Sequence, residues 1–138
     1  MFFVCLHGSA KSLIAAQHFN RLARARKLEF RAESVGVEPD ASVPEPVVAG
    51  LAGDGFDVRS YIPRAVDPES VMGGAYVVSF GCAVPIEDAT VPTAQWNDMP
   101  LVSDGFDRAR DAIVARVEQL VDELTRAALD KTKSPMSP

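Results

Sequence analysis

The chain has 138 residues, room for one core, and 47% of them are apolar, which excludes wholesale disorder. Its net charge of -5 leaves no basic face for general nucleic-acid binding. No apolar run nears the roughly 20 residues of a membrane span, and Met1–Leu6 is too short for a signal peptide, so the expected compartment is the cytosol.

Phe2 to Leu6 is a short apolar run that gives way to small and polar residues, the pattern of a buried strand entering a turn. From Ser12, Leu13, Ile14, Ala16, Phe19, Leu22 and Ala23 recur at helical spacing, which predicts a helix to about Arg26. Its late basic run, Arg21, Arg24, Arg26 and Lys27, reads as a solvated face favoured by the C-terminal helix dipole. Leu28 to Val37 partly alternates and predicts a second strand, ended by Glu38-Pro39. Pro44 and Pro46 open a short helix through Val47, Val48 and Leu51, stopping near Gly53 or Gly55.

Asp57 to Val66 reads as irregular or partly extended, and Asp67-Pro68-Glu69 as a brief helical turn. Ala75 to Phe80 is too apolar for an exposed edge and predicts another strand. Gly81 to Pro100, rich in proline and short polar residues, predicts a long loop of the kind that carries function. Phe106, Ala109, Ile113, Val117, Leu120, Val121, Leu124 and Ala128 predict a long amphipathic helix with Ser103 or Asp104 as N-cap. Residues 1–130 are thus expected to form a single α/β domain, and 131–138 a disordered tail.

The chemistry concentrates in Cys5-Leu6-His7-Gly8-Ser9-Ala10-Lys11-Ser12. A strand delivers a cysteine, small residues turn the chain, and a helix begins. In such a loop successive backbone N–H groups can surround one anion, aided by the positive end of the helix. That field, Lys11 and the Ser12 hydroxyl all favour the thiolate of Cys5, the attacking form of a nucleophile. Gly8 suits the positive φ such a loop needs. A nucleotide-binding G-x-x-x-x-G-K-[ST] loop is excluded, because Cys5 and Ala10 occupy its glycine positions. Cys5, Cys82, His7 and His18 supply no recognisable zinc-ligand spacing, so no metal is expected.

The segment resembles the low-molecular-weight protein tyrosine phosphatase family and its arsenate reductase branch, whose signature is a cysteine, five residues, an arginine and Ser or Thr. Cys5-Leu6-His7, Ser12 and Ala15-Ala16 carry the likeness. Weaker matches are Glu33-Ser34-Val35-Gly36, Gly55-Phe56-Asp57, Phe80-Gly81-Cys82-Ala83 with Pro85, and Trp96 to Pro100. The resemblance implies a three-layer α/β/α sandwich on a four-stranded parallel sheet. It implies Cys5 as nucleophile, residues Leu6, His7, Gly8, Ser9, Ala10, Lys11 and Ser12 as the oxyanion cradle, and Ser12 as stabiliser of the thiolate.

Three departures stand out against that family. Lys11 takes the arginine's place, keeping charge but losing a planar fork. Gly8 stands for an asparagine. The general acid has no clear match; Asp98 and Asp104 are the nearest candidates. Arsenate reduction needs a second thiol, for which Cys82 is the candidate, with a thiol reductant (thioredoxin, a glutaredoxin-type protein or a low-molecular-weight thiol) completing the cycle. No bound cofactor is expected. The expected partner is a small oxyanion (phosphate, arsenate or sulfate) or a phosphorylated substrate, and no nucleic acid or membrane. The alternative is a catalytically impaired oxyanion-binding protein. Trp96 and His18 read as packing residues, and Tyr61 as a residue beside the cleft.

Overall fold

The computed structural model describes residues 1–67, 69, 76–81 and 93–133, with side chains through Ala127 in the last stretch. Strand β1 (Phe2–Cys5) leads into helix α1 (Lys11–Ala25), followed by β2 (Glu33–Gly36) and α2 (Glu45–Gly53). Then come β3 (Val77–Ser79), β4 (Thr93–Gln95), a short 3-10 turn at Val102–Asp104, and α3 (Phe106–Lys133). The strands form one parallel sheet in the order β2-β1-β3-β4. This is the expected α/β fold on a four-stranded parallel sheet. None of the described helices is long and apolar enough to cross a membrane.

Side chains of β1 alternate between two faces, as a strand requires. Phe3 and Cys5 join the main core with Leu13, Ile14 and Phe19 of α1, Val47 and Leu51 of α2, and Ile113, Val117 and Val121 of α3. Phe2 and Val4 point the other way, into a smaller cluster with Val35 and Val77 covered by Val37 and Val66. Among the described residues, no helix contributes to that second cluster. Trp96 is buried against Phe3 and Phe80, the packing role expected of it.

Four expectations change. The second strand is shorter than Leu28–Val37, because the residues after α1 are used to close the helix. Lys27 adopts φ 56, its N–H bonds the Arg24 carbonyl, and Leu28 N–H bonds the Ala23 carbonyl, the Schellman pattern of a helix end. The late loop contains strand β4, and just after it the Trp96 N–H is tied to the Ser79 carbonyl. Neither Ser103 nor Asp104 caps α3; both lie in the 3-10 turn, and the Gly105 carbonyl accepts the Ala109 N–H. Finally, α3 continues through Lys133, into the stretch expected to be a tail. The Asp67-Pro68-Glu69 turn, Cys82 and Pro85 fall wholly or partly outside the described residues.

The basic run on α1 is only partly a solvated face. Arg26 pairs with Asp122 of α3. Arg21 donates to the Asp54 carbonyl and lies 4.2 Å from the Phe56 ring centre.

Candidate active site

In the order β2-β1-β3-β4, the chain leaves β1 toward one side of the sheet, while β3 lies on the other. Such a switch point opens a crevice beyond the carboxyl ends of the strands. Cys5, the last residue of β1, sits there, and so does Phe80, which follows β3. A cavity of about 340 Å³ at this point is lined by Cys5, Leu6, His7, Ser9, Ala10 and Lys11. Asp40, Pro44, Phe80 and the stretch Leu101–Ser103 close its far side. A comparable cavity near α2, about 380 Å³, contains one charged pair, Asp57 with Arg59, bonded to each other 2.9 Å apart, and no nucleophile.

The loop between β1 and α1 is shaped by its neighbours. Val37, Glu38 and Asp40 donate their N–H groups to the carbonyls of Cys5, Leu6 and His7. Gly8 has φ 63, and a Cβ there would lie 2.8 Å from the Gly36 nitrogen. The reverse also holds, since a Cβ on Gly36 would lie 2.6 Å from the Gly8 nitrogen. Two backbones therefore touch at a place where only glycine fits on both sides. Gly36 is itself clamped by Arg64 and Val66 through its N–H and carbonyl.

The Cys5 thiol is buried and receives two contacts: Ser12 Oγ at 2.9 Å and the Gly8 N–H at 3.2 Å. Ser12 Oγ lies 2.7 Å from Ser34 Oγ, which reaches the Gly8 carbonyl at 3.3 Å. A carbonyl only accepts, so proton counting leaves this relay two polarities. If Cys5 is a thiol, it donates to Ser12, Ser12 to Ser34, and Ser34 to Gly8. If it is a thiolate, Ser12 donates to sulfur and Ser34 donates to Ser12. The relay can therefore follow the charge of Cys5 without moving a heavy atom. Tyr61 supports it from behind, its hydroxyl donating to the Ser34 carbonyl at 3.0 Å; burial pushes this phenol up, keeping it a donor.

Helix α1 begins without a side-chain cap: its N-cap is Ala10, and no acidic residue occupies the first turn. First-turn N–H groups left without a side-chain acceptor suit an incoming anion. The remaining loop residues divide by role. Leu6 is exposed at the mouth, and Ser9 is buried with its hydroxyl donating to Asp40 Oδ2 at 2.6 Å. His7 Nδ1 lies 3.0 Å from the Glu38 carbonyl and 3.5 Å from Asp40 Oδ1. Lys11 Nζ reaches the Met99 carbonyl at 3.5 Å.

The two acid candidates are elsewhere. Asp98 is held by Arg116 of α3, 3.1 and 3.2 Å from its two oxygens, and does not line the cavity. Asp104 is exposed on the 3-10 turn and does not line it either, although its neighbour Ser103 does. Cys82 lies outside the described residues. Sequence reasoning passed over Asp40, which follows β2 with nothing but a turn-like context. It treated Ser34 only as part of a small-residue turn.

With this geometry in hand, the comparisons with known proteins are informative. The model of the family described as "Low molecular weight phosphotyrosine protein phosphatase" matches residues 1–82. A Halobacterium salinarum protein named "Putative arsenate reductase" is 32% identical over 130 residues, covering 88% of this chain and 89% of that protein. Among solved structures, an arsenate reductase from Archaeoglobus fulgidus is 28% identical with a TM-score of 0.66, covering 90% of this chain and 97% of that one. A thioredoxin-dependent arsenate reductase of Corynebacterium glutamicum shares the fold at a TM-score of 0.77 and 17% identity. That match covers 91% of this chain, which spans 61% of that protein's length. The match over more than half the sequence and the well-covered relative agree: the chain belongs to the low molecular weight phosphotyrosine protein phosphatase family and is an enzyme of this oxyanion-handling type.

Proposed function

We propose that Cys5 is the nucleophile of an arsenate reductase or phosphatase reaction, attacking a tetrahedral oxyanion held by the loop from Leu6 to Ser12. The observation that carries this reading is the thiol itself: buried at the strand end, it receives the Ser12 hydroxyl and the Gly8 N–H. Gly8 donates to the sulfur, and the Ser12 hydroxyl can donate to it in the thiolate, the attacking form. Lys11 supplies the cationic charge, and the uncapped start of α1 the remaining donors.

Arsenate is the favoured substrate, since the two relatives of 28% and 32% identity carry that name. In this reading the Cys5 thiolate forms a bond to arsenic and an oxygen leaves as water. A second thiol then attacks the Cys5 sulfur, the two sulfurs become a disulfide, and arsenic leaves reduced as arsenite. Cys82 or an external thiol reductant is that second thiol, and the same reductant class regenerates the free cysteine.

One observation favours a second reading, an oxyanion-binding protein of impaired turnover. Lys11 stands in the family's arginine position as a single point charge, and it is engaged with the Met99 carbonyl. Loss of a planar fork costs roughly 3 kcal/mol of transition-state stabilisation. The test is arsenate reduction and aryl-phosphate hydrolysis by wild type, Cys5→Ser and Lys11→Arg. Turnover by wild type that vanishes in Cys5→Ser upholds the enzyme; activity that appears only in Lys11→Arg upholds the binder.

A further inference from the structure

The structure gives one residue of the expected oxyanion cradle a second role, that of proton donor. Any reaction at Cys5 must expel an oxygen, from arsenic as water or from phosphorus as an alcohol or phenol, and that oxygen needs a proton. Asp98 is engaged with Arg116, and neither Asp98 nor Asp104 lines the cavity. Among the described residues, two titratable groups besides Cys5 and Lys11 do line it, His7 and Asp40.

Their geometry assigns roles. The Glu38 carbonyl is an acceptor only, so His7 Nδ1 at 3.0 Å must carry a hydrogen. Asp40 Oδ1, 3.5 Å from the same nitrogen, reinforces that tautomer. The proton that comes and goes is therefore on Nε2. Asp40 is held in turn by the buried Ser9 hydroxyl at 2.6 Å and by its own N–H on the His7 carbonyl. The Ser9 bond fixes the carboxylate and the backbone bond fixes its residue, which makes Asp40 an orienting group, while imidazole is the side chain most often used for proton transfer.

We propose that His7 is the general acid of the reaction at Cys5, donating from Nε2, and that Asp40 is its positioning residue. This rests on the reading of Cys5 as nucleophile. In the first step sulfur bonds to arsenic or phosphorus, the bond to the leaving oxygen breaks, and that oxygen takes the Nε2 proton, leaving His7 neutral. No oxidation state changes in this step. In the hydrolytic branch the neutral imidazole then takes a proton from the water that cleaves the sulfur–phosphorus bond. Among the described residues, the charged or titratable groups around His7 are Glu38 and Asp40 after β2, Cys5 at the end of β1 and Lys11 at the start of α1; the cavity-lining stretch Leu101–Ser103 brings none.

The experiment compares phenyl phosphate, a poor leaving group, with dinitrophenyl phosphate, a good one, across pH. Wild type should lose kcat/KM at alkaline pH on phenyl phosphate and not on dinitrophenyl phosphate, a result that needs no variant. His7→Gln should lower kcat/KM on phenyl phosphate by about 100-fold and far less on dinitrophenyl phosphate, and should erase the alkaline limb. Asp40→Asn should lower kcat/KM on phenyl phosphate more than on dinitrophenyl phosphate, with the alkaline limb retained. Equal losses on both substrates in His7→Gln, or an alkaline limb that survives it, overturn the assignment. If wild type turns over arsenate but neither ester, a drop of about 100-fold in arsenate turnover in His7→Gln supports it and an unchanged rate overturns it. If wild type matches Cys5→Ser on all three substrates, the nucleophile reading itself falls, and the proton donor with it.

Discussion

The chain's two histidines show opposite ways of using one side chain. His18 lies inside the fold with both ring nitrogens engaged, Nε2 with Asp54 at 3.2 Å and Nδ1 with Arg21 at 3.4 Å, and its ring edge-on to Phe56. Arginine only donates, so Nδ1 accepts and Nε2 carries the hydrogen. Asp54 also pairs with Arg110 of α3 at 2.6 Å, so the cluster neutralises itself and joins three elements. His7 has one nitrogen tied down and half its side chain exposed beside the thiol. A histidine satisfied on both sides is a fastener, and one satisfied on a single side has the free nitrogen that the proposed proton transfer requires.

Substitutions can break or sharpen this contrast. The largest stability effect is expected from Asp54→Ala, which leaves the buried His18 without its acceptor while Arg110 keeps Asp111, and should cost about 2–3 kcal/mol by denaturant unfolding. It should leave the alkylation rate of Cys5 unchanged, because the cluster does not line the cavity. If that rate falls with the stability, the two regions are coupled and the contrast fails.

Gly36→Ala should act the opposite way round. Its Cβ would press on the Gly8 nitrogen and the His7 carbonyl carbon, each at 2.6 Å, costing about 2 kcal/mol. It should also displace the loop, weakening protection of Cys5 by arsenate or phosphate. Loss of stability with protection intact would mean that the loop does not depend on this contact.

The third effect is a pH dependence. Burial, the largest cause, holds His18 below its ordinary value, against the pull of Asp54. The unfolded chain therefore binds more protons than the folded one near and below the ordinary histidine range. Stability should rise as pH climbs through the unfolded value of 6.5, and fall below it. His18→Gln should flatten that slope in urea midpoints taken from pH 5 to 7.5, midpoints chosen to span roughly that range. A slope unchanged in His18→Gln would assign it to other groups. The smallest effect is Lys27→Gly, which relieves a left-handed φ and should raise stability by about 0.5–1 kcal/mol.

Much of this was legible from residue order, for reasons that differ along the chain. Helices α1 and α3 carry apolar stripes at the helical period, and β1 is a continuous apolar run, so local pattern and burial coincide. Strand β4 is Thr93-Ala94-Gln95, exposed on two of its three residues, and carries no burial signal; pairing with β3 alone makes it a strand. The Leu28–Ala32 stretch misleads because its apolar residues pack on the core without joining the sheet. At the site, Cys5 and Ser12 are seven residues apart and their relation is local. Ser34 and Asp40 arrive only because β2 runs parallel to β1, with Cys5 opposite Gly36. No spacing rule over one segment reveals partners delivered by a neighbouring strand.

The contact between Gly8 and Gly36 also sets when the loop's entropy is lost. Fixing a backbone costs roughly 1–2 kcal/mol per residue, or about 8–16 kcal/mol for the eight residues Cys5–Ser12. A tetrahedral oxyanion has five heavy atoms, and even the most efficient small ligands return only about 1.5 kcal/mol for each, about 7.5 kcal/mol in all. So small a guest cannot organise this cradle for itself. The touching backbones, the Arg64–Val66 clamp on Gly36 and the bonds from Val37, Glu38 and Asp40 order it during folding instead. In the proposed reaction, occupancy then becomes a matter of displacing water from a preordered receptor, which leaves the oxyanion's limited contacts for the step at sulfur.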